Sequence, residues 1–191
     1  MHSTLSKKQF MYWLLLTILV QIIGITKATS QTSSLFITRW DLSKSAGSGA
    51  TQISFGVATS STVNYTWQQV GGSGSGSGMF TGTTATITGL PTGGIIDLSI
   101  NPTNFQRINI NFGTDASRLT QLKQWGTVAW TSMENAFAGC NNFTLTATDV
   151  PNLAGVTNMS AMFRGCSIFD QALPSSFNTA AVRDMSYMFA N

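Results

Sequence analysis

The side chains that most often carry out catalysis are sparse in this chain. Its only histidine is His2, at the extreme N-terminus, so no Ser-His-Asp or Cys-His arrangement and no common zinc site is expected in the folded part. The carboxylates form no recurring pair of the glycosidase kind and no dense run of the calcium-loop kind. We therefore expect no enzymatic activity, no metal and no cofactor. The seven carboxylates are Asp41, Asp97, Asp115, Glu134, Asp149, Asp170 and Asp184.

Two other features could serve ligand binding. The tryptophans Trp40, Trp67, Trp125 and Trp130 could form a sugar-stacking platform, but we expect them to pack in the interior, with Trp130 as a seal between two parts of the chain. The stretch GGSGSGSG at Gly71–Gly78 resembles a flexible linker, and it lacks the Gly-Lys-Ser/Thr ending of a phosphate loop. We predict a long mobile hairpin loop there.

The overall charge gives no reason to expect a nucleic-acid partner. The formal net charge is +3, but three of the ten basic residues are Lys7, Lys8 and Lys27, close to the N-terminus. The other seven basic residues are balanced by seven acidic ones, so no basic stripe remains for phosphate groups. Charged residues make up only 9% of the chain, against about 25% in an ordinary domain, which favours a secreted β-rich protein.

The first thirty residues have the pattern of an export signal. Lys7 and Lys8 are followed by an uncharged, mostly apolar run from Phe10 to Ile25, and small residues follow near Ala28. We predict a cleaved signal peptide at 1–30, and hence an exported protein at the cell surface or outside the cell. The alternative is an uncleaved membrane anchor, although sixteen residues are few for a span that needs about 20. Membrane contact is expected only through this segment.

Short alternating segments predict a β-rich module over residues 31–113. Apolar and polar residues alternate at the period of a half-buried strand, and Gly and Pro clusters separate the segments. This spacing favours an antiparallel β-sandwich. The candidate strands are Leu35–Trp40, Thr51–Gly56, Val63–Gln69, Thr83–Thr88, Ile95–Ile100 and Arg107–Phe112.

A sequence repeat with a fixed offset of 26 follows a junction at 114–129. The copies span 130–155, 156–181 and a truncated 182–191, and large apolar residues recur at fixed slots. One copy cannot bury these side chains alone, so stacked copies predict the start of a leucine-rich-type solenoid. The slot spacing also fits short helical turns at Ser132–Ala138 and Asn158–Arg164, and Phe143–Ala147 alternates like a strand, with Phe169–Leu173 as its expected neighbour. The predicted structural ladder consists of Met133, Met159, Met185, Phe137, Phe163, Phe189, Cys140, Cys166, Phe143 and Phe169.

The two cysteines occupy the same slot of adjacent copies. An exported protein with Cys140 and Cys166 suggests a disulfide, and stacked copies would bring the two backbones within reach. Side chains stacked in register point the same way, however, which is poor geometry for a bridge. We favour reduced, buried thiols and leave the disulfide open.

The repeat has a specific frame, V-x-x-M-S-x-M-F-x-G-C-x-x-F-x-Q-x-L, which runs from Val156 to Leu173. It resembles the BspA-like leucine-rich repeat surface proteins, which include related Met-Phe repeats of the same length in mycoplasma surface proteins. The resemblance implies a non-catalytic cell-surface protein that contacts another surface protein or a glycan. Two alternatives remain: an accessory region of a secreted polysaccharide-degrading enzyme, or a structural spacer.

Overall fold

The computed structural model describes residues 34–44 and 47–191, and the predicted signal peptide lies outside them. Residues 34–191 form one compact unit that is mainly β. No helix in the described part of the chain has the length and apolar character to cross a membrane. The strands are β1 (Phe36–Asp41), β2 (Ile53–Thr59), β3 (Val63–Gln69), β4 (Ser75–Phe80), β5 (Thr84–Ile87), β6 (Ile95–Ile100), β7 (Phe105–Asn109), β8 (Leu119–Gln124) and β9 (Thr144–Leu145).

The strands form two sheets that share one hydrophobic core. The larger sheet has the order β4-β3-β6-β1-β8-β9 and the smaller one the order β5-β2-β7. All pairs are antiparallel except β8 with β9, which is parallel. Trp40 of β1 stacks on Phe55 of β2 at 5.1 Å, so the inner faces of the two sheets pack on each other. The predicted strand alternation is confirmed in β3, where Val63, Tyr65 and Trp67 are buried and the residues between them are exposed.

The second half of the glycine-serine stretch is a strand, so the long hairpin loop predicted over Gly71–Gly78 is wrong in its length, and only residues 71–74 form the turn between β3 and β4. β4 begins at Ser75 and pairs with β3, with Gly76 opposite Trp67 and Gly78 opposite Tyr65. A Cβ on Gly76 would come within 2.6 Å of the Trp67 indole nitrogen. The alternate glycines therefore leave room for two large rings on the same face of the sheet. A sequence of glycine and serine alone does not indicate this role, because the same composition is typical of flexible linkers.

The repeat copies stack through a regular backbone ladder. We call 133–140, 159–166 and 185–190 the first, second and third repeat turns. The N–H groups of Met133, Asn135, Phe137 and Gly139 each donate to a carbonyl of the next copy, at 2.7–3.0 Å, and the second turn donates to the third in the same way. The backbone of each turn is thus paired with its neighbours, as a buried backbone requires.

The predicted helices at Ser132–Ala138 and Asn158–Arg164 are wrong. The only helix in the described residues is a 3-10 helix at Ala116–Arg118. Asn135 and Ala161 have a φ of 53°, which lies outside the right-handed helical region. Alternate N–H groups leave the turn to reach the next copy, so they cannot donate to a carbonyl four residues back. Phe169–Leu173 likewise contains no strand.

The β module closes one side of the first repeat turn. The N–H groups of Ile110 and Phe112 donate to carbonyls of that turn, at 3.2 and 2.8 Å. Residues 114–129, predicted as a junction, contain the 3-10 helix and β8, which pairs with β1 inside the larger sheet. The Arg107 guanidinium also donates to the Glu134 carboxylate at 2.9 Å. The repeat turns are therefore continuous with the sheets.

Candidate functional site

The invariant slots of the repeat form the interior of the stack. Met133 and Met159 are fully buried, and the equivalent Met185 is 46% exposed. Phe163 lies between Phe137 and Phe189, with ring centroids 5.6 Å away on each side and planes tilted by 12°. These side chains pack against each other in the interior, so they provide stability.

A second column of rings runs beside the first. Phe143 and Phe169 stack at 6.0 Å, and each packs on a ring of the first column, Phe137 at 4.7 Å and Phe163 at 4.5 Å. The predicted strand Phe143–Ala147 is observed only as the two residues of β9. Phe169 still lies beside Phe143, as neighbouring copies require, although it is not in a strand.

The two thiols are free and buried in the structure. Burial raises the pKa of Cys140 well above its ordinary value and the pKa of Cys166 to about 12. The Cys166 thiol donates to the Phe137 carbonyl at 3.1 Å. Both groups are therefore protonated at neutral pH and are poor nucleophiles and poor metal ligands.

The exposed flank of the stack carries a cluster that sequence reasoning missed. The Arg164 guanidinium carbon lies 5.6 Å from the Phe112 ring centroid and 5.8 Å from that of Tyr187. Both distances are within the range of a cation–π interaction. Phe112 is 54% exposed and Tyr187 71% exposed. We call these three side chains the arginine clamp.

Two glycines of the repeat turns leave space for the Phe112 ring. Its ring lies over Gly139 and Gly165, where an added Cβ would come within 2.7 and 2.9 Å of ring atoms. Both glycines have positive φ, 83° and 70°, which disfavours any other residue there. The repeated Gly slot therefore has two roles: it turns the backbone, and it accepts an aromatic ring from the end of the β module.

The two aromatic residues of the clamp also have an unfavourable backbone conformation. Phe112 and Tyr187 both have a φ of 55°, a region that costs an L-residue about 1–2 kcal/mol. The slot of Tyr187 is occupied by Asn135 and Ala161 in the earlier turns, which are smaller side chains. Packing of the interior does not require a large exposed ring at this slot. The sequence signal for the clamp is the variation at this slot, from Asn135 and Ala161 to Tyr187.

A second surface feature lies on the outer face of the larger sheet. A shallow hollow of ≈ 460 Å³ is lined by Thr66, Gln68, Ser75, Ser77, Asp97 and Ser99, with Trp67 and Gly76. Burial acts to raise the pKa of Asp97, but hydrogen bonds from Arg39 and Lys123, at 2.7 and 2.6 Å, outweigh it and hold this pKa below its usual value. The hollow thus presents hydroxyls, an amide and an ionised carboxylate that is already paired.

The remaining candidate groups are engaged in structure. Trp40, Trp125 and Trp130 are 0–1% exposed, and Trp67 is 8% exposed, which confirms interior packing over a sugar platform. Trp130 contacts Phe36 at 5.1 Å and Trp125 at 6.2 Å, as expected of a seal between the sheets and the repeat turns. Within the described residues, no group of three or more His, Cys, Asp or Glu side chains is placed to hold a metal ion.

Comparison with known proteins adds one relationship. No curated protein and no solved structure matches the chain. A family model begins its match at Asn104, one repeat length before Trp130, so the match includes the segment that closes the first repeat turn. The repeat-bearing part of the chain, residues 104–191, is similar to the family described as Mycoplasma protein of unknown function, DUF285.

Proposed function

We propose that this chain is an exported, non-catalytic protein that contacts another protein through the exposed flank of its repeat turns. The arginine clamp is the observation that carries this proposal. Its two rings are more than half exposed and lie beside one guanidinium group, while the rings of the interior columns, such as Phe137 and Phe163, are buried. Exposed aromatic rings beside an arginine are the residue types that dominate protein–protein contacts.

Exposed apolar side chains are concentrated in the repeat-bearing part of the chain. Of nine large hydrophobic residues that are exposed in the described part of the chain, six lie within residues 104–191. Single exposed apolar residues need no explanation, but Phe112 and Tyr187 share one cation. The six are Phe112, Val150, Ile168, Met185, Tyr187 and Phe189.

A panel of immobilised matrix proteins and glycans tests the contact function. The intact chain, produced without its first thirty residues, should bind at least one protein on the panel saturably. A heat-unfolded sample of the same preparation should not reproduce that binding. If the folded chain binds nothing while a known binder works on the same panel, the contact function is rejected and the structural spacer is the remaining alternative.

Export is a separate part of the proposal and has its own test. The support is the sequence: Lys7 and Lys8 before an apolar run of sixteen residues. In the producing cell, external protease should degrade the protein, and its N-terminus should begin near Gln31. Recovery of intact Met1 on a membrane-bound product would favour the anchor, and complete protection from protease would argue against export.

We also propose that the repeat turns are the start of a BspA-like leucine-rich solenoid. The frame from Val156 to Leu173 and the backbone ladder between successive copies support this finer assignment. A structure of a longer chain of the same repeat should continue the Met and Phe columns with the same ring spacing of about 5.6 Å. A longer chain whose copies fold as separate helical hairpins would contradict it.

The polar hollow supports a second candidate, an accessory glycan-binding region of a polysaccharide-degrading enzyme. Hydroxyl and amide side chains such as Thr66, Gln68 and Ser99 are suited to hydrogen bonding with a sugar. On the same panel, a glycan signal should fall when Gln68→Ala is introduced and persist in Asn64→Ala, which changes the same strand outside the hollow. Equal binding by both variants would remove this candidate.

A further inference from the structure

We propose that the arginine clamp is a recognition site for a carboxylate side chain that is flanked by apolar residues on a partner polypeptide. This inference rests on the proposed contact function and specifies the chemistry of the partner. The ligand atoms would be the two carboxylate oxygens, and the protein atoms the outward N–H groups of Arg164.

The first argument concerns the charges. Three of the ten basic residues lie outside the described part of the chain, which leaves seven. Five of these seven have a carboxylate within 4.0 Å. Arg164 and Arg183 do not, and neither is buried. The chain thus pairs most of its cations and leaves Arg164 without a carboxylate while holding it between two rings.

The second argument concerns geometry. A guanidinium group has two faces and an edge, and the rings of Phe112 and Tyr187 lie near Arg164 at 5.6 and 5.8 Å. Stacking on rings limits the rotamers of the side chain and reduces its hydration, while its N–H groups stay free for planar, bidentate recognition of a carboxylate. Among the described residues, the contacts observed for the Arg164 side chain are those with the two rings. The clamp is therefore pre-organised for an acceptor from outside.

The third argument selects the kind of partner. The walls of the clamp are two aromatic rings, and both are more than half exposed. Apolar side chains next to an acidic residue of a peptide would cover these surfaces, and such burial is favourable. An acidic sugar could stack a C–H face on one ring, but its hydroxyls would then contact the other ring, whereas two apolar side chains can cover both. The observations therefore favour an acidic, apolar peptide over an anionic glycan.

Two blocked tripeptides test the proposal with the folded chain. One has glutamate between two phenylalanines, and the other has glutamine in place of glutamate. Titration followed by NMR of the Arg164 Nε–H and the Tyr187 ring should show the glutamate peptide binding at least about tenfold more tightly, as expected for a charged hydrogen bond. Arg164→Gln should abolish this preference. Arg183→Gln is the matched control, because it removes an arginine that has no ring contact, and it should leave the preference unchanged.

Each contrary outcome has a distinct meaning. Equal binding of the two peptides, or a preference that survives Arg164→Gln in a variant with an unchanged melting temperature, would overturn the carboxylate site. Tighter binding of an oligoglucuronate than of the glutamate peptide, lost in Arg164→Gln, would reassign the site to an anionic glycan and overturn the peptide. Panel binding that is insensitive to Arg164→Gln would leave the contact function standing and reject only this inference.

Discussion

Replacing Phe163 with alanine should destabilise the chain much more than replacing Phe189, although both rings occupy the same slot of the repeat. Phe163 is 1% exposed, and four other rings lie within 6.1 Å of its centroid. Phe189 is 53% exposed and has ring contacts only with Phe163 and Phe169 among the described residues. The two substitutions therefore remove the same side chain from two sites that differ in burial.

The expected magnitudes follow from burial. Removing a fully buried phenylalanine costs about 3–5 kcal/mol, since both the transfer free energy and a cavity contribute. At Phe189 about half of the side chain is already in water and no enclosed cavity forms, so the loss is about 1 kcal/mol. For a chain of this size, 1 kcal/mol corresponds to about 2–4 °C. Phe163→Ala should thus lower the melting temperature by about 10 °C and Phe189→Ala by about 3 °C.

Thermal unfolding of the whole chain, followed by tryptophan fluorescence, measures both values. The tryptophans Trp125 and Trp130 lie beside the first repeat turn and report on it. Equal decreases for the two variants would refute the reasoning, because they would mean that the third turn packs as deeply as the second. A larger decrease for Phe189→Ala would refute it more strongly.

Three further predictions concern other parts of the molecule. Since burial raises the pKa of Cys140 and Cys166, a thiol reagent at neutral pH should label neither in the folded chain and both in denaturant; rapid labelling of the folded chain would contradict this. Because the pKa of Asp97 is lowered in the folded chain, its contribution to stability is present above about pH 4 and is lost as the pH falls below that value. Asp97→Asn should therefore make the melting temperature fall less steeply in acid. An unchanged dependence of the melting temperature on pH would argue against the ion pairs. Gly76→Ala should cost about 1–3 kcal/mol in urea unfolding because its Cβ meets an indole ring, whereas Ser77→Ala on the exposed face should be nearly neutral; equal costs would contradict the packing in β4.

Much of the sheet architecture could be predicted from alternation. β3 and β6 were predicted at their observed bounds, because each buries one face against the core and exposes the other in part. β4 was missed, since glycine and serine carry no hydrophobic pattern and the strand is specified by the rings of Tyr65 and Trp67 on its neighbour. β8 was missed for a related reason: its apolar residues, Leu119 and Leu122, are three apart and do not alternate.

The repeat was predictable in its slots and not in its backbone. A fixed offset of 26 identifies which side chains are equivalent, and the structure places the Met and Phe slots in columns. The same spacing fits a helix and a stack of turns equally well. The chain forms turns instead of helices because Asn135 and Ala161 have positive φ and because alternate N–H groups pair with the next copy. No local sequence pattern specifies either feature.

The candidate site depended on distant contacts. Phe112 lies far from Arg164 in the sequence, and the clamp forms only because Gly139 and Gly165 leave space for the ring. The buried pair of Asp115 and Arg118 is similar: these residues lie three apart, but their partners are backbone groups of residues 48–54. Sequence patterns identify the repeated interior slots well. Surface clusters of residues that are distant in the sequence become visible only in the folded structure.

The most direct test of the contact function is the affinity of the clamp-deficient chain for a protein identified on the panel. The double variant Phe112→Ala, Tyr187→Ala removes both rings and leaves Arg164 and the interior columns in place, so its melting temperature should stay within a few degrees of the unmodified chain. The account predicts that its affinity falls at least about tenfold, as expected when exposed aromatic anchors of a contact are lost. An unchanged affinity in a folded double variant would contradict the central claim.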